Sequence, residues 1–114
     1  VWLYYIDFLP DSARGAPGSS HGSDFNALFK GHLAEDPATR EMSLRLQKFW
    51  LNFAHYGNPN GPTKSDPDFT WQTYTPEKDN WLLVKDHVSM SSGVIADRLD
   101  YLEDFYFRGM QEEQ

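Results

Sequence analysis

Ala16-Pro17-Gly18-Ser19-Ser20-His21-Gly22-Ser23-Asp24 is the stretch on which the reading of this chain turns. The nearly all-apolar run Val1-Trp2-Leu3-Tyr4-Tyr5-Ile6-Asp7-Phe8 precedes it. A continuous run of this kind suits a strand buried on both faces, as in a parallel or mixed α/β sheet. Leu9-Pro10-Asp11-Ser12 ends the run, and Gly15, Pro17 and Gly18 keep residues 11–20 irregular. A short helix is expected from Asp24 to Phe29, with Ser23 as its cap and Gly31 as its stop. Strand, loop and helix in this order present the imidazole of His21 at the rim of a sheet.

Two readings of this loop follow from its residues. Gly18-Ser19-Ser20-His21-Gly22 fits G-x-S-x-G, which would make Ser20 a nucleophile. A nucleophile elbow, however, follows its strand directly and opens a long helix. Here all of residues 9–19, with Pro10 and Pro17, separate the strand from Ser20, and the next helix is short. The second reading makes His21 a proton-transfer histidine, which must accept from a serine through one nitrogen and be oriented by a carboxylate through the other. The residues alone also allow His21 to be a turn residue without a chemical role.

The clearest helix runs from Pro37 to Tyr56. Asp36 is a good N-cap, and Pro37 sits where its missing N–H costs nothing. Met42, Leu46, Phe49 and Phe53 fall on one face, which Leu44, Trp50 and Leu51 broaden. Gly57 and the segment Asn58-Pro59-Asn60-Gly61-Pro62 end it. Residues 63–79 form a long connection pinned by Trp71, followed by a short strand from Trp81 to Val84. Ile95, Leu99, Leu102 and Tyr106 predict a terminal helix from Val94 to Phe107, with a frayed tail from Gly109 to Gln114.

Composition narrows the function. The 114 residues carry a formal net charge of −7 without a Lys/Arg cluster, which argues against nucleic acid and anionic membranes. With no cysteine there is no disulfide, thiolate metal site or cysteine nucleophile. No apolar run approaches the ~18 residues of a membrane span. His32, His55 and His87 lack paired-ligand spacing, and Ser65, Asp66 and Asp68 lack EF-hand spacing. His55 suits the negative end of the long helix, and the Phe49, Trp50, Phe53 cluster reads as core before it reads as a ligand pocket. Aromatic residues make up 16% of the chain, a large apolar load for two recognisable strands. The chain opens on Val inside a strand pattern, so we expect a piece of a larger protein.

Four segments together resemble the C-terminal part of the type-B carboxylesterase and lipase family, which includes the cholinesterases. They are V-W-L-Y-Y-I-D-F, G-S-S-H-G-S-D-F, R-L-Q-K-F-W-L-N-F-A-H-Y-G-N-P-N-G, and Trp71-Gln72-Thr73-Tyr74, in the family's order. The resemblance implies that His21 matches the catalytic histidine, Gly22 the glycine after it, and Asp24 an acidic position that is more often Glu. Asp24 is then a structural or supporting residue and not the triad acid. The family's G-E-S-A-G elbow, oxyanion-hole glycines and triad acid are absent here and lie N-terminal to this segment in the family. Asp7, Asp11 and Glu35 are not assigned in their place.

The expectation is therefore an α/β fold: residues 1–114 as the C-terminal segment of one α/β-hydrolase domain, late strands plus packing helices, incomplete as an independent domain. The implied function is carboxylic ester hydrolysis on a small-molecule ester, with His21 as general base and no cofactor or metal. The N-terminal remainder of the hydrolase is the implied partner, and the segment alone is expected to be inactive. The resemblance is compatible with a secreted or extracellular place, and a cytoplasmic one stays open. The rival is a non-catalytic cholinesterase-like adhesion or interaction module, since the family contains members that lost the triad.

Overall fold

A computed structural model describes residues 1–63 and 66–112. Ser65 and the last two tail residues, Glu113 and Gln114, lie outside the described residues. The elements in order are strand β1 (Tyr4–Ile6), helix α1 (Ser23–Phe29), helix α2 (Pro37–Tyr56), strands β2 (Asn80–Val84) and β3 (Val88–Ser92), and helix α3 (Ala96–Glu112), with 3-10 turns at Asp11–Ala13 and Gly31–Leu33. The three strands form one mixed sheet in the order β1-β2-β3. β1 runs parallel to β2, with Tyr4 opposite Leu82 and Ile6 opposite Val84. β2 and β3 pair antiparallel, Val84 opposite Val88.

The expected strand over residues 1–8 shortens to three residues, all half-buried and not enclosed on both faces. β1 pairs with β2 alone among the described strands, so no described strand lies on its outer edge. β3 escaped the sequence reading because Val88-Ser89-Met90-Ser91-Ser92 has too few apolar residues to signal a strand. Its pairing is imposed by the tight turn after β2, closed by the Lys85 N–H on the His87 carbonyl. The strand expected from Trp81 begins one residue earlier, at Asn80, which is buried. Its side chain accepts from the Thr75 N–H and donates to the Thr73 carbonyl, holding the connection before β2.

Helix α2 has the expected bounds. Asp36 caps it by accepting the Thr39 N–H at 2.9 Å, and Gly57 closes it at φ 69°. Met42, Leu46 and Phe49 are buried against Leu82, Val84 and Val88 of the sheet. The same face ends there: Phe53 is half exposed, and Leu44 and Leu51 point to solvent, so they do not broaden it. At about 100° per residue Leu44 and Leu51 fall on the side of the helix opposite Met42 and Leu46, away from the sheet.

Trp71 pins the long connection. It is 5% exposed, donates from its indole to the Leu3 carbonyl, and meets Phe49 edge-on at 5.4 Å. Asn60 clasps its backbone from both sides, taking the Trp71 N–H and donating to its carbonyl. Asp66 is buried beside the Arg45 guanidinium at 3.1 Å, which ties the same connection to α2.

The terminal helix is longer than its apolar spacing suggests and reaches Glu112, so the tail expected from Gly109 is helical up to that point. None of its residues is buried, and Leu99, Leu102, Phe105 and Tyr106 are each at least half exposed. An apolar stripe this size in water favours association. The 114-residue chain in isolation is therefore expected to be molten, self-associating or dependent on a partner. Sedimentation and amide NMR check this, and a monomer with a sharp thermal transition and dispersed signals would contradict it.

The Asp36 cap carries a pH signature. Hydrogen bonds from the Thr39 side chain and backbone hold its carboxyl below the ordinary 3.8. A depressed folded value means that its contribution is complete above the unfolded value and disappears as pH falls through the folded one. Denaturant midpoints of the full-length protein are expected to drop below about pH 4. Asp36→Ala should lower the neutral-pH midpoint and flatten part of that acid limb. An unchanged acid limb would show that the cap is energetically idle.

Candidate active site

The loop between β1 and α1 lies along the carboxyl end of β1. Ser19 is laid on the strand terminus: its hydroxyl donates to the Ile6 carbonyl at 2.8 Å and its N–H to Asp7 Oδ1 at 3.1 Å. Asp7 itself extends the parallel pairing, its N–H on the Val84 carbonyl at 2.8 Å. The chain then turns through Ser20, His21 and Gly22 into α1. The Ser20 carbonyl accepts from the Ser23 N–H and, at 2.5 Å, from the Ser23 hydroxyl.

Ser23 is therefore the first residue of α1 and not its cap. The cap position belongs to Gly22, in the left-handed conformation at φ 83°. A Cβ at Gly22 would meet nothing within 4 Å, so the backbone angle and not space demands glycine. A left-handed residue next to His21 turns the chain sharply and leaves the imidazole on the outside of the bend.

His21 is exposed, and no described residue hydrogen-bonds its ring. It lines an open depression of about 420 Å³ together with Ile6 and Asp7 of the strand end, Asp24 of α1 and Arg98 of α3. Asp24 sits near it, but both its carboxylate oxygens are engaged elsewhere. Oδ2 accepts the Tyr4 hydroxyl at 2.7 Å, and Oδ1 accepts the Phe25 N–H. The Tyr4 bond is the main reason the Asp24 carboxyl lies below its usual range, and the nearby His21 adds a small effect in the same direction. Burial, followed by the Asp24 carboxylate, pushes the Tyr4 phenol up to about 12. The proton thus stays on Tyr4 and the charge on Asp24 across the neutral range.

Ser20 is exposed and keeps ordinary backbone geometry: Asp79 is the sole non-glycine residue with positive φ among those described. The strained turn that an elbow serine requires is not built here. Phe49 belongs to the core and, with Trp50, Phe53, Trp2 and Trp71, also lines an open apolar groove of about 530 Å³. The sequence reading missed Tyr4, Asp7 and Ser19 as anchors of the loop. The signal available was polar groups inside and just after an otherwise apolar strand.

The carboxylesterase family profile matches residues 1–102. Acetylcholinesterase from Bungarus fasciatus is 30% identical over 88 residues, covering 72% of this chain and 14% of the relative. Bile salt-activated lipase from Bos taurus is 30% identical over 93 residues, 75% of this chain and 15% of the relative. Carboxylesterase 4A from Bos taurus is 39% identical over 69 residues, 54% and 12% respectively. This chain belongs to the carboxylesterase family. It spans roughly a seventh of the length of the acetylcholinesterase and of the bile salt-activated lipase. The family implies an α/β-hydrolase, and the small mixed sheet with its three helices is compatible with part of one. No helix among the described residues is long and apolar enough to cross a membrane.

Proposed function

We propose that this chain is the C-terminal segment of a serine carboxylic ester hydrolase and supplies its general base, His21. The observation that carries the reading is the place of His21: exposed, on a loop fastened to the carboxyl end of a strand in parallel pairing. Ligands of α/β sheets bind outside the carboxyl ends of the strands. Membership of the carboxylesterase family supports the reaction class.

In the intact enzyme the remainder of the hydrolase supplies the serine, the acid and the oxyanion hole. His21 takes the serine proton as the hydroxyl attacks the ester carbonyl, then gives it to the departing alcohol. It next takes a proton from the water that attacks the acyl-enzyme and returns it to the serine oxygen as the carboxylic acid leaves. Asp24, held by Tyr4, supports the loop and is not the triad acid. The segment by itself is inactive, because a base without a nucleophile or oxyanion hole has no charge development to assist.

The test is a pair of substitutions in the full-length protein, assayed on short p-nitrophenyl esters. His21→Ala should be inactive and Ser20→Ala nearly unaffected. A dead Ser20→Ala that no longer forms an adduct with a phosphonate probe would move the chemistry to Ser20. A fully active His21→Ala would remove it from this loop.

A further inference from the structure

A general base is useful only if its nitrogen is held to within a fraction of an ångström of the proton it takes. Exposed loops do not provide this unless they are tied to something rigid. Around His21 the ties come from one element. Two residues before it, the Ser19 hydroxyl and N–H are bonded to Ile6 and Asp7. Three residues after it, the Asp24 carboxylate is bonded to the Tyr4 hydroxyl. Tyr4 and Ile6 are alternate residues of β1, and Asp7 directly follows it and continues its pairing with β2.

β1 is in turn a rigid support. Tyr4 and Ile6 are in register with Leu82 and Val84 of β2, which are both fully buried. The Tyr4 ring is wedged against Trp50 at 5.1 Å and Trp71 at 6.4 Å, so its hydroxyl projects from a fixed platform.

We propose that Tyr4 and Ser19 are positioning residues for His21, gripping the histidine loop from either side and transmitting to it the rigidity of the sheet. The inference rests on the reading of His21 as general base. Each grip is a half-buried hydrogen bond whose loss alters global stability little, because such bonds exchange for bonds to water. Its effect on rate is larger, because the displaced group is the one that moves the proton.

The experiment uses the full-length enzyme and p-nitrophenyl acetate, with active sites counted by complete phosphonate labelling. Tyr4→Phe keeps the ring and removes only the donor. Ser19→Ala removes only the hydroxyl. Each is expected to lower kcat about 10- to 100-fold while KM stays within about twofold. Tm should move by no more than about 2 °C. Asp24→Ala should resemble Tyr4→Phe, and the double variant should be no slower than the slower single one, because both remove the same grip. Wild-type kcat in both Tyr4→Phe and Ser19→Ala, beside an inactive His21→Ala, overturns the grip and leaves the base standing. A loss carried by KM or Tm alone overturns it as well. A fully active His21→Ala overturns the base itself and the grip with it.

Discussion

His21→Ala in the full-length protein is expected to abolish turnover of short esters while leaving the protein folded. A serine hydroxyl is a poor nucleophile at neutral pH, and imidazole is the side chain suited to taking its proton there. General-base assistance contributes roughly 10²–10⁴-fold, and the loss can exceed that when the groups of a triad act as a unit. Folding should survive because His21 is exposed on the outer side of the Gly22 bend and no described residue bonds its ring. Ser20→Ala is the matched control. Its hydroxyl is bonded to no described residue, whereas its carbonyl, which holds Ser23, is unchanged by the substitution. Initial rates with circular dichroism of both variants check the pair, and an active, folded His21→Ala would refute the assignment.

Phe49→Ala should produce the largest loss of stability on helix α2. Phe49 is 1% exposed, with Trp71 edge-on at 5.4 Å and Phe69 at 6.0 Å. Removing a buried phenyl ring costs ~3–5 kcal/mol, the lost transfer energy plus the cavity that its neighbours fail to fill. Trp71 is bonded at its backbone and indole, so it is poorly placed to collapse into the gap. Trp50→Ala should cost less, because Trp50 is half-buried, and Phe53→Ala least of the three, because more than half of Phe53 already faces solvent. Denaturant titration of the full-length protein checks the order. An Asp36→Ala loss exceeding that of Phe49→Ala would mean that the cap and not the buried face holds the helix.

Local rules made several elements readable before any coordinates. Asp36, Pro37 and Gly57 bound α2 because capping and left-handed closure are decided within a few residues of each end. The periodicity of Met42, Leu46 and Phe49 marked its buried face for the same reason. His21 and Gly22 were singled out by residue type and motif, and the family was legible from four segments in order, none of which needs tertiary knowledge.

What only the tertiary structure decided depends on contacts between distant residues. β3 is a strand because β2 pairs with it, not because Ser89, Ser91 and Ser92 prefer to be extended. Phe53 shares the phase of Phe49 yet is half exposed, because the small sheet beneath α2 ends before it, an extent that no helical pattern encodes. The helix cap moved from Ser23 to Gly22 because the Ser23 hydroxyl is used to close the turn at Ser20. The partnership of Tyr4 with Asp24 spans twenty positions and that of Asp7 with Ser19 twelve. A sequence displays each of these side chains singly. The parallel pairing of β1 with β2 fixes the strand end on which they meet, and that pairing brings together residues nearly eighty positions apart.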